Sequence, residues 1–231
     1  MSISQRESIW YVLIKRLIWL CFRLVGRLQI VGAAQVPRAG GAMLASNHTS
    51  YADPPLVAIS APRRTWFMAK SELFRNPLFG ALIRALYAFP VRRGVVDRQA
   101  LRRAQELLEG GELVAIFIEG GTSPDGRLQP PSLGPAMIAL RAGAPIVPVA
   151  SINADHLLPL KAVKLHFARV TVVYGAPLSF PHLAGQAGNR AAVREVAYTV
   201  ARAIAEMLRA HGGADRVPPG YLAEEGTQDG G

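Results

Sequence analysis
The chain has 231 residues, one cysteine (Cys21), and 26 Lys and Arg against 16 Asp and Glu, a formal net charge of +10. That length suits one large α/β domain and buries roughly 70% of the unfolded surface without staples, while a single cysteine excludes an intramolecular disulfide and any multi-cysteine metal site. The positive balance points to an anionic partner; with half the residues hydrophobic, no zinc spacing and no recognition-helix motif, lipid fits and nucleic acid is set aside.

The first element covers residues 8–26. Lys15, Arg16, Arg23 and Arg27 interrupt its apolar run, so no charge-free stretch approaches the ~20 residues of a spanning helix. No small-residue cleavage site follows an uninterrupted apolar core, so no signal peptide is expected. At about 100° per residue the four cations share an arc of roughly 120°. Trp10, Leu13, Leu17, Leu20, Leu24 and Leu28 occupy much of the rest, with Trp19 nearby. A cationic stripe beside a wide Trp/Leu face predicts an amphipathic helix in the membrane interface over residues 1–27. The same stripe also fits a helix packed on a domain with its basic face in water.

Beyond it, short apolar runs alternate with helical patterns. Strands are expected at 28–31, 41–46, 65–69, 87–91, 113–118, 145–150 and 169–174. Helices are expected at 54–60, 77–86, 97–109, 134–142 and 189–210. This alternation predicts a single α/β domain over 28–211, with a mixed, mostly parallel central sheet flanked by helices. Asp97 is placed to cap the helix that buries Leu101, Ala104 and Leu108, and Gly110-Gly111 ends it. The last helix carries Val193, Val196, Val200, Ile204 and Met207 on one face. From 212 to 231 the chain is rich in Pro, Gly and acid, and a disordered tail is expected.

Four stretches could carry chemistry. The first is Asn47-His48-Thr49-Ser50-Tyr51-Ala52-Asp53, directly after an apolar strand. A histidine with a carboxylate partner can take a proton from a hydroxyl at neutral pH. By itself the pair more readily describes a buried histidine satisfying a loop, with Asp53 as the N-cap of the next helix. The second is Phe117-Ile118-Glu119-Gly120-Gly121-Thr122-Ser123. A charged residue ending a buried strand needs a partner, and glycine N–H groups can face an anion or a developing oxyanion. The third, Phe89-Pro90-Val91-Arg92-Arg93, presents two guanidiniums at a strand end, suited to phosphate or simply solvated. The fourth, Pro145-Ile146-Val147-Pro148-Val149, is a stiff apolar strand.

In this order the four stretches resemble the glycerolipid acyltransferase family, whose best-known members acylate 1-acylglycerol 3-phosphate. Asn47, His48 and Asp53 match its first block; Pro90, Val91 and Arg93 the second; Phe117 to Ser123 the third; Ile146 to Val149 the fourth. The resemblance spans about residues 28–175. Two family cations are missing: Thr122 stands where an Arg is usual, and Pro131-Ser132-Leu133-Gly134 replaces a common Phe-Lys-x-Gly.

The resemblance implies direct acyl transfer from a thioester of coenzyme A or acyl carrier protein to the free hydroxyl of a lysophospholipid, foremost 1-acyl-sn-glycerol 3-phosphate. It makes His48 the base and Asp53 its partner, with Asn47 supporting the loop. Glu119, Gly120 and Gly121 would shape the acceptor site, and Arg93, with Arg92 or Lys70 as backup, would hold a phosphate. The missing cations leave a different headgroup open, or a lipid-binding relative without catalysis. No cofactor and no metal is required. The expected place of work is the cytoplasmic face of a membrane, as a peripheral or monotopic protein. Ser50 and Thr49 are not expected to be nucleophiles, because no strand–Gly-x-Ser-x-Gly–helix elbow is present.

Overall fold
A computed structural model describes residues 9–92, 94–160, 162 and 164–221. Seven strands form one sheet: β1 (Gln29–Val31), β2 (Ala42–Ser46), β3 (Thr65–Lys70), β4 (Ala88–Val91), β5 (Leu113–Phe117), β6 (Ile146–Ile152) and β7 (Thr171–Tyr174). The helices are α1 (Ile9–Val25), α2 (Asp53–Ser60), α3 (Pro77–Ala85), α4 (Arg98–Glu109), α5 (Leu133–Ala142), the short α6 (Ala154–Leu157) and α7 (Arg190–Ala210). The sheet order is β1-β7-β6-β2-β5-β3-β4. All neighbours are parallel except β6 and β7. The expected mixed, mostly parallel sheet is therefore present, and each expected strand and helix has its counterpart within a residue or two. The short α6 is the addition.

The continuous apolar runs of β2 and β5 follow from burial on both faces. Met43, Ala45, Val114 and Ile116 enter one core with α4, α5 and α7. Ala42, Leu44, Leu113 and Ala115 enter the other, with residues of α1, α2 and α3. The alternation is the period-2 rule of a strand applied to two apolar layers. Asp97 caps α4 as expected, accepting from the Ala100 N–H at 3.2 Å.

The helix α1 has two apolar faces. One buries Tyr11 and Phe22 against the domain, and α1 packs on α2. Lys15 is drawn into this contact and donates to the Ala61 carbonyl at 3.0 Å. The opposite face leaves Leu13, Leu17, Leu20, Leu24 and Trp19 exposed beside Arg16, Arg23 and Arg27. Leu28 is buried beyond the helix end, so it does not belong to that outer face. Trp10 contributes a side chain outside the described set.

The part of the expected tail that is described, residues 212–221, is ordered against the domain. Residues Ala214–Arg216 form a 3-10 turn, Arg216 and Val217 are buried, and the Tyr221 hydroxyl donates to the Gln129 carbonyl at 2.8 Å. Composition alone pointed to disorder, but Arg216 finds buried partners and Val217 joins the α7 core. The remaining stretch, 222–231, lies outside the described residues.

The connections set where loops gather. β2 lies between β6 and β5, and β5 between β2 and β3. With Ser46 level with Phe117 and Val149, the loops after β2, β5 and β6 emerge together at one edge. Open α/β sheets bind ligands at the carboxyl ends of their strands.

Candidate active site
His48 and Asp53 meet in the loop after β2. His48 Nδ1 stands 3.0 Å from Asp53 Oδ2. The same oxygen accepts the N–H groups of Thr49 and Ser50, each at 2.7 Å. Its other oxygen, Oδ1, accepts the Ser151 hydroxyl at 2.6 Å. Asp53 is fully buried, and His48 is 2% exposed. Every group aimed at the carboxylate is a donor, so Nδ1 carries the proton and the Nε2 lone pair is left free to accept one. Among the described residues nothing hydrogen bonds to Nε2, and it is not a sealed orphan.

Asp53 is not the N-cap of α2. That place falls to Ala52, with no side-chain cap bond, and Asp53 is the first helical residue. Its carboxylate turns back over the loop because three donors converge there, which no cap would provide. Pro54 follows, where a missing N–H costs nothing in a first helical turn.

Two residues complete the site that the strand boundary expected at 150 had cut off or passed over. Ser151 lies in β6, which runs on to Ile152. Besides its bond to Asp53, it exchanges a pair of bonds with Asn47: the Asn47 amide donates to the Ser151 carbonyl at 2.9 Å and accepts the Ser151 N–H at 2.8 Å. Asn47 thus ties the His48 loop to β6. Phe117 stacks on the His48 ring, with centroids 4.1 Å apart and planes at 21°. A polar Ser at the end of an otherwise apolar strand was the available signal for the first. Nothing in the spacing signalled the second.

Glu119 sits beside His48, although not as a free acceptor-binding group. Its Oε1 accepts the His48 N–H at 2.7 Å and its Oε2 accepts the Gln129 N–H at 3.2 Å. Burial raises its pKa from 4.5 to about 8, against the pull of those two N–H groups. A carboxyl raised in the folded state contributes most stability below about pH 4.5, and that contribution is lost as pH climbs through about 8. Replacing Glu119 with Gln removes the titration. Wild-type stability should therefore fall relative to Glu119→Gln between pH 5 and pH 8, read from urea midpoints at both values.

Gly120 adopts φ +72°, which an L-side chain would hold only under strain. Its N–H is bonded to the Phe117 carbonyl at 3.2 Å, which removes it as an oxyanion donor. Gly121 has open space around it. The remaining phosphate candidates lie at the ends of other strands, and Arg92 lines a cavity together with Phe117 and Gly120. Lys70 ends β3, exposed and 3.8 Å from Glu72. Arg92 follows β4 and pairs with Asp97 at 3.3 Å. At about 4.8 Å per strand, these positions stand two and three strands from β2, about 10 and 14 Å away. Arg93 lies outside the described residues.

A cavity of about 570 Å³ opens behind Phe117, lined by Met68, Val91, Ile116, Leu133, Ile138 and Val193 among others. Its size and apolar lining suit a small-molecule chain. Phe117 is the wall shared by this cavity and the His48 ring.

Comparison with known proteins identifies the family. A family profile described as acyltransferase matches residues 27–152. The 1-acyl-sn-glycerol-3-phosphate acyltransferase of Bacillus subtilis is 32% identical over 129 residues, 55% of this chain and 63% of that protein. A chloroplastic enzyme of the same name from Brassica napus is 32% identical over 49% of this chain and 33% of its own length. The chain thus spans under two thirds of these relatives. The crystal structure of the 1-acyl-sn-glycerophosphate (LPA) acyltransferase of Thermotoga maritima superposes with a TM-score of 0.70 at 27% identity, covering 87% of this chain and 80% of that one. With the matched region enclosing both His48 and Asp53, the chain belongs to the acyltransferase family.

Proposed function
We propose that this protein transfers a fatty acyl group from a thioester to the free hydroxyl of a lysophospholipid, foremost 1-acyl-sn-glycerol 3-phosphate, as its relatives' names describe. The observation that carries this reading is the His48–Asp53 pair, with Nδ1 engaged and Nε2 free. A hydroxyl attacks poorly while it keeps its proton. Nε2 takes that proton as the acceptor oxygen bonds to the thioester carbon. The carbon–sulfur bond then breaks, and the proton passes from the imidazolium to the departing thiolate. Asp53 holds the ring and stabilises its charged form. The thioester is that of coenzyme A or acyl carrier protein, and the apolar cavity behind Phe117 is the place for an acyl chain.

The substrate would be met at an anionic membrane surface on its cytoplasmic side. Two features support contact with an anionic membrane surface. The outer face of α1 presents four leucines beside three arginines, and Phe167 is 84% exposed with Leu165 nearby. Their segment is fastened to the end of α1 by a bond from the Ala168 N–H to the Val25 carbonyl at 3.3 Å. A single surface of this kind combines apolar insertion with attraction to anionic lipid. No helix among the described residues is long and apolar enough to cross a membrane.

The missing cations at 122 and 132 favour keeping the headgroup open to test. A matrix of lysolipids in neutral and anionic vesicles, each with acyl-CoA and acyl carrier protein donors, decides the matter. The expected result is thiol release and a diacyl product by mass spectrometry, strongest with the phosphate headgroup and anionic vesicles. Binding of lysolipid without thiol release in any combination would instead establish a lipid-binding relative.

A further inference from the structure
The segment after α7 makes contacts that composition gave no reason to expect. Arg216 is 9% exposed. Its Nη1 reaches Asp155 at 2.6 Å and the Gly126 carbonyl at 3.3 Å. Its Nη2 lies 2.8 Å from His156 Nε2. Its own carbonyl accepts the Leu128 N–H at 2.8 Å. Gly126 is shaped for this approach: it adopts φ +74°, and a Cβ there would stand 2.7 Å from Nη1. Five residues on, the Tyr221 hydroxyl donates to the Gln129 carbonyl at 2.8 Å. The segment therefore grips the 126–129 stretch at three of its four residues.

That stretch is the outer half of the loop that follows β5, and its inner half grips His48. The Gln129 N–H donates to Glu119, whose other oxygen accepts the His48 N–H. Ser123, earlier in the same loop, donates its N–H to the His48 carbonyl at 2.7 Å. Both peptide groups flanking the His48 Cα are thus held by one loop, and that loop is held from behind by residues 216 and 221. A base must sit within hydrogen-bond reach of the proton it takes, and small displacements cost rate.

We propose that the segment Ala214–Tyr221 is a positioning strap for His48, acting through the 126–129 turn, Glu119 and Ser123. It does not touch the reacting atoms. The inference rests on the reading of His48 as the base, and it adds a distant determinant of that base's placement. It also assigns a role to a stretch that the motifs of the acyl-transfer site do not include.

Arg216→Ala removes the anchor and risks the fold, so Tyr221→Phe, which deletes one hydroxyl, is the decisive variant. A single neutral hydrogen bond contributes on the order of 1 kcal/mol, so kcat should fall about three- to ten-fold. KM for the acyl donor should be unchanged, because the cavity behind Phe117 is not touched. Amide hydrogen exchange should quicken in peptides covering 46–50 and 126–132 and stay constant in β5 and α7. A chain ending at Gly220 should show the same exchange pattern when compared with a chain ending at Tyr221. Exchange in those two peptides that is unchanged in both tests overturns the proposal, as does a loss of kcat matched by a fall in folded fraction. The exchange measurement needs no turnover, so it judges the strap even where no acyl transfer is detected, and that absence would count against the proposed function instead.

Discussion

His48→Ala should lower the rate of thiol release about 10²- to 10⁴-fold, the range attributed to a positioned general base. The expected size follows from how little else in the site can do this work. Thr49 and Ser50 each give their N–H to Asp53, and the Ser50 hydroxyl is committed to the Leu158 carbonyl at 2.6 Å. Glu119 has both oxygens on backbone N–H groups. The Thr49 and Ser50 hydroxyls are not bases at neutral pH, and burial raises the Glu119 carboxyl to about 8, so Nε2 is the group suited to take the proton. The fold should survive, because Asp53 keeps three donors and the loop stays tied to β6 through Asn47. Near-native circular dichroism with the rate lost would support the assignment. Activity within about three-fold of wild type would remove His48 from the mechanism.

Asp53→Asn should have an effect of similar size through a different cause. An amide has one oxygen where the carboxylate has two. Turned toward the loop, that oxygen can still accept from Thr49, Ser50 and Nδ1, while the amide nitrogen meets the Ser151 hydroxyl, which can rotate to accept. The geometry is therefore nearly conserved and the charge is lost. Charge-assisted bonds become neutral ones, costing about 1–3 kcal/mol of stability. The imidazolium that forms during transfer loses its counter-charge, so kcat should fall about 10²- to 10⁴-fold. Urea denaturation and steady-state kinetics on one preparation separate the two effects. A variant that loses stability and keeps its rate would make Asp53 a structural loop residue.

The resemblance made from four short blocks proved a sound guide to family; the first, third and fourth blocks lie at the adjacent strands β2, β5 and β6, while the second ends β4, beyond β3. His48 follows β2, Glu119 follows β5 and Ser151 is the penultimate residue of β6, three neighbours in one sheet. The chemistry that needs the blocks together is satisfied by strand order, which the sequence does not display. Period-2 and helical patterns placed the elements because burial on two faces leaves a strong imprint on β2, β5 and α7. Over residues 212–221 the structure differs from the expected tail because a few residues with specific partners outweigh an unfavourable composition: Arg216 is anchored by Asp155 and His156, and Tyr221 by Gln129.

Residue type and spacing alone therefore determined the α/β class, the amphipathic first helix and the candidate pair His48 and Asp53. These depend on local patterns, and local patterns survive in one dimension. Only the tertiary structure decided what each polar group faces. It decided between Asp53 as a helix cap and Asp53 as the partner of His48, making it the acceptor of four donors, and it showed Glu119 accepting the backbone N–H of His48. It also brought in Ser151 from 98 residues away and set Phe117 against the imidazole. A hydrogen bond is settled by a few tenths of an ångström and by direction, and that information arises only when strands far apart in sequence lie side by side.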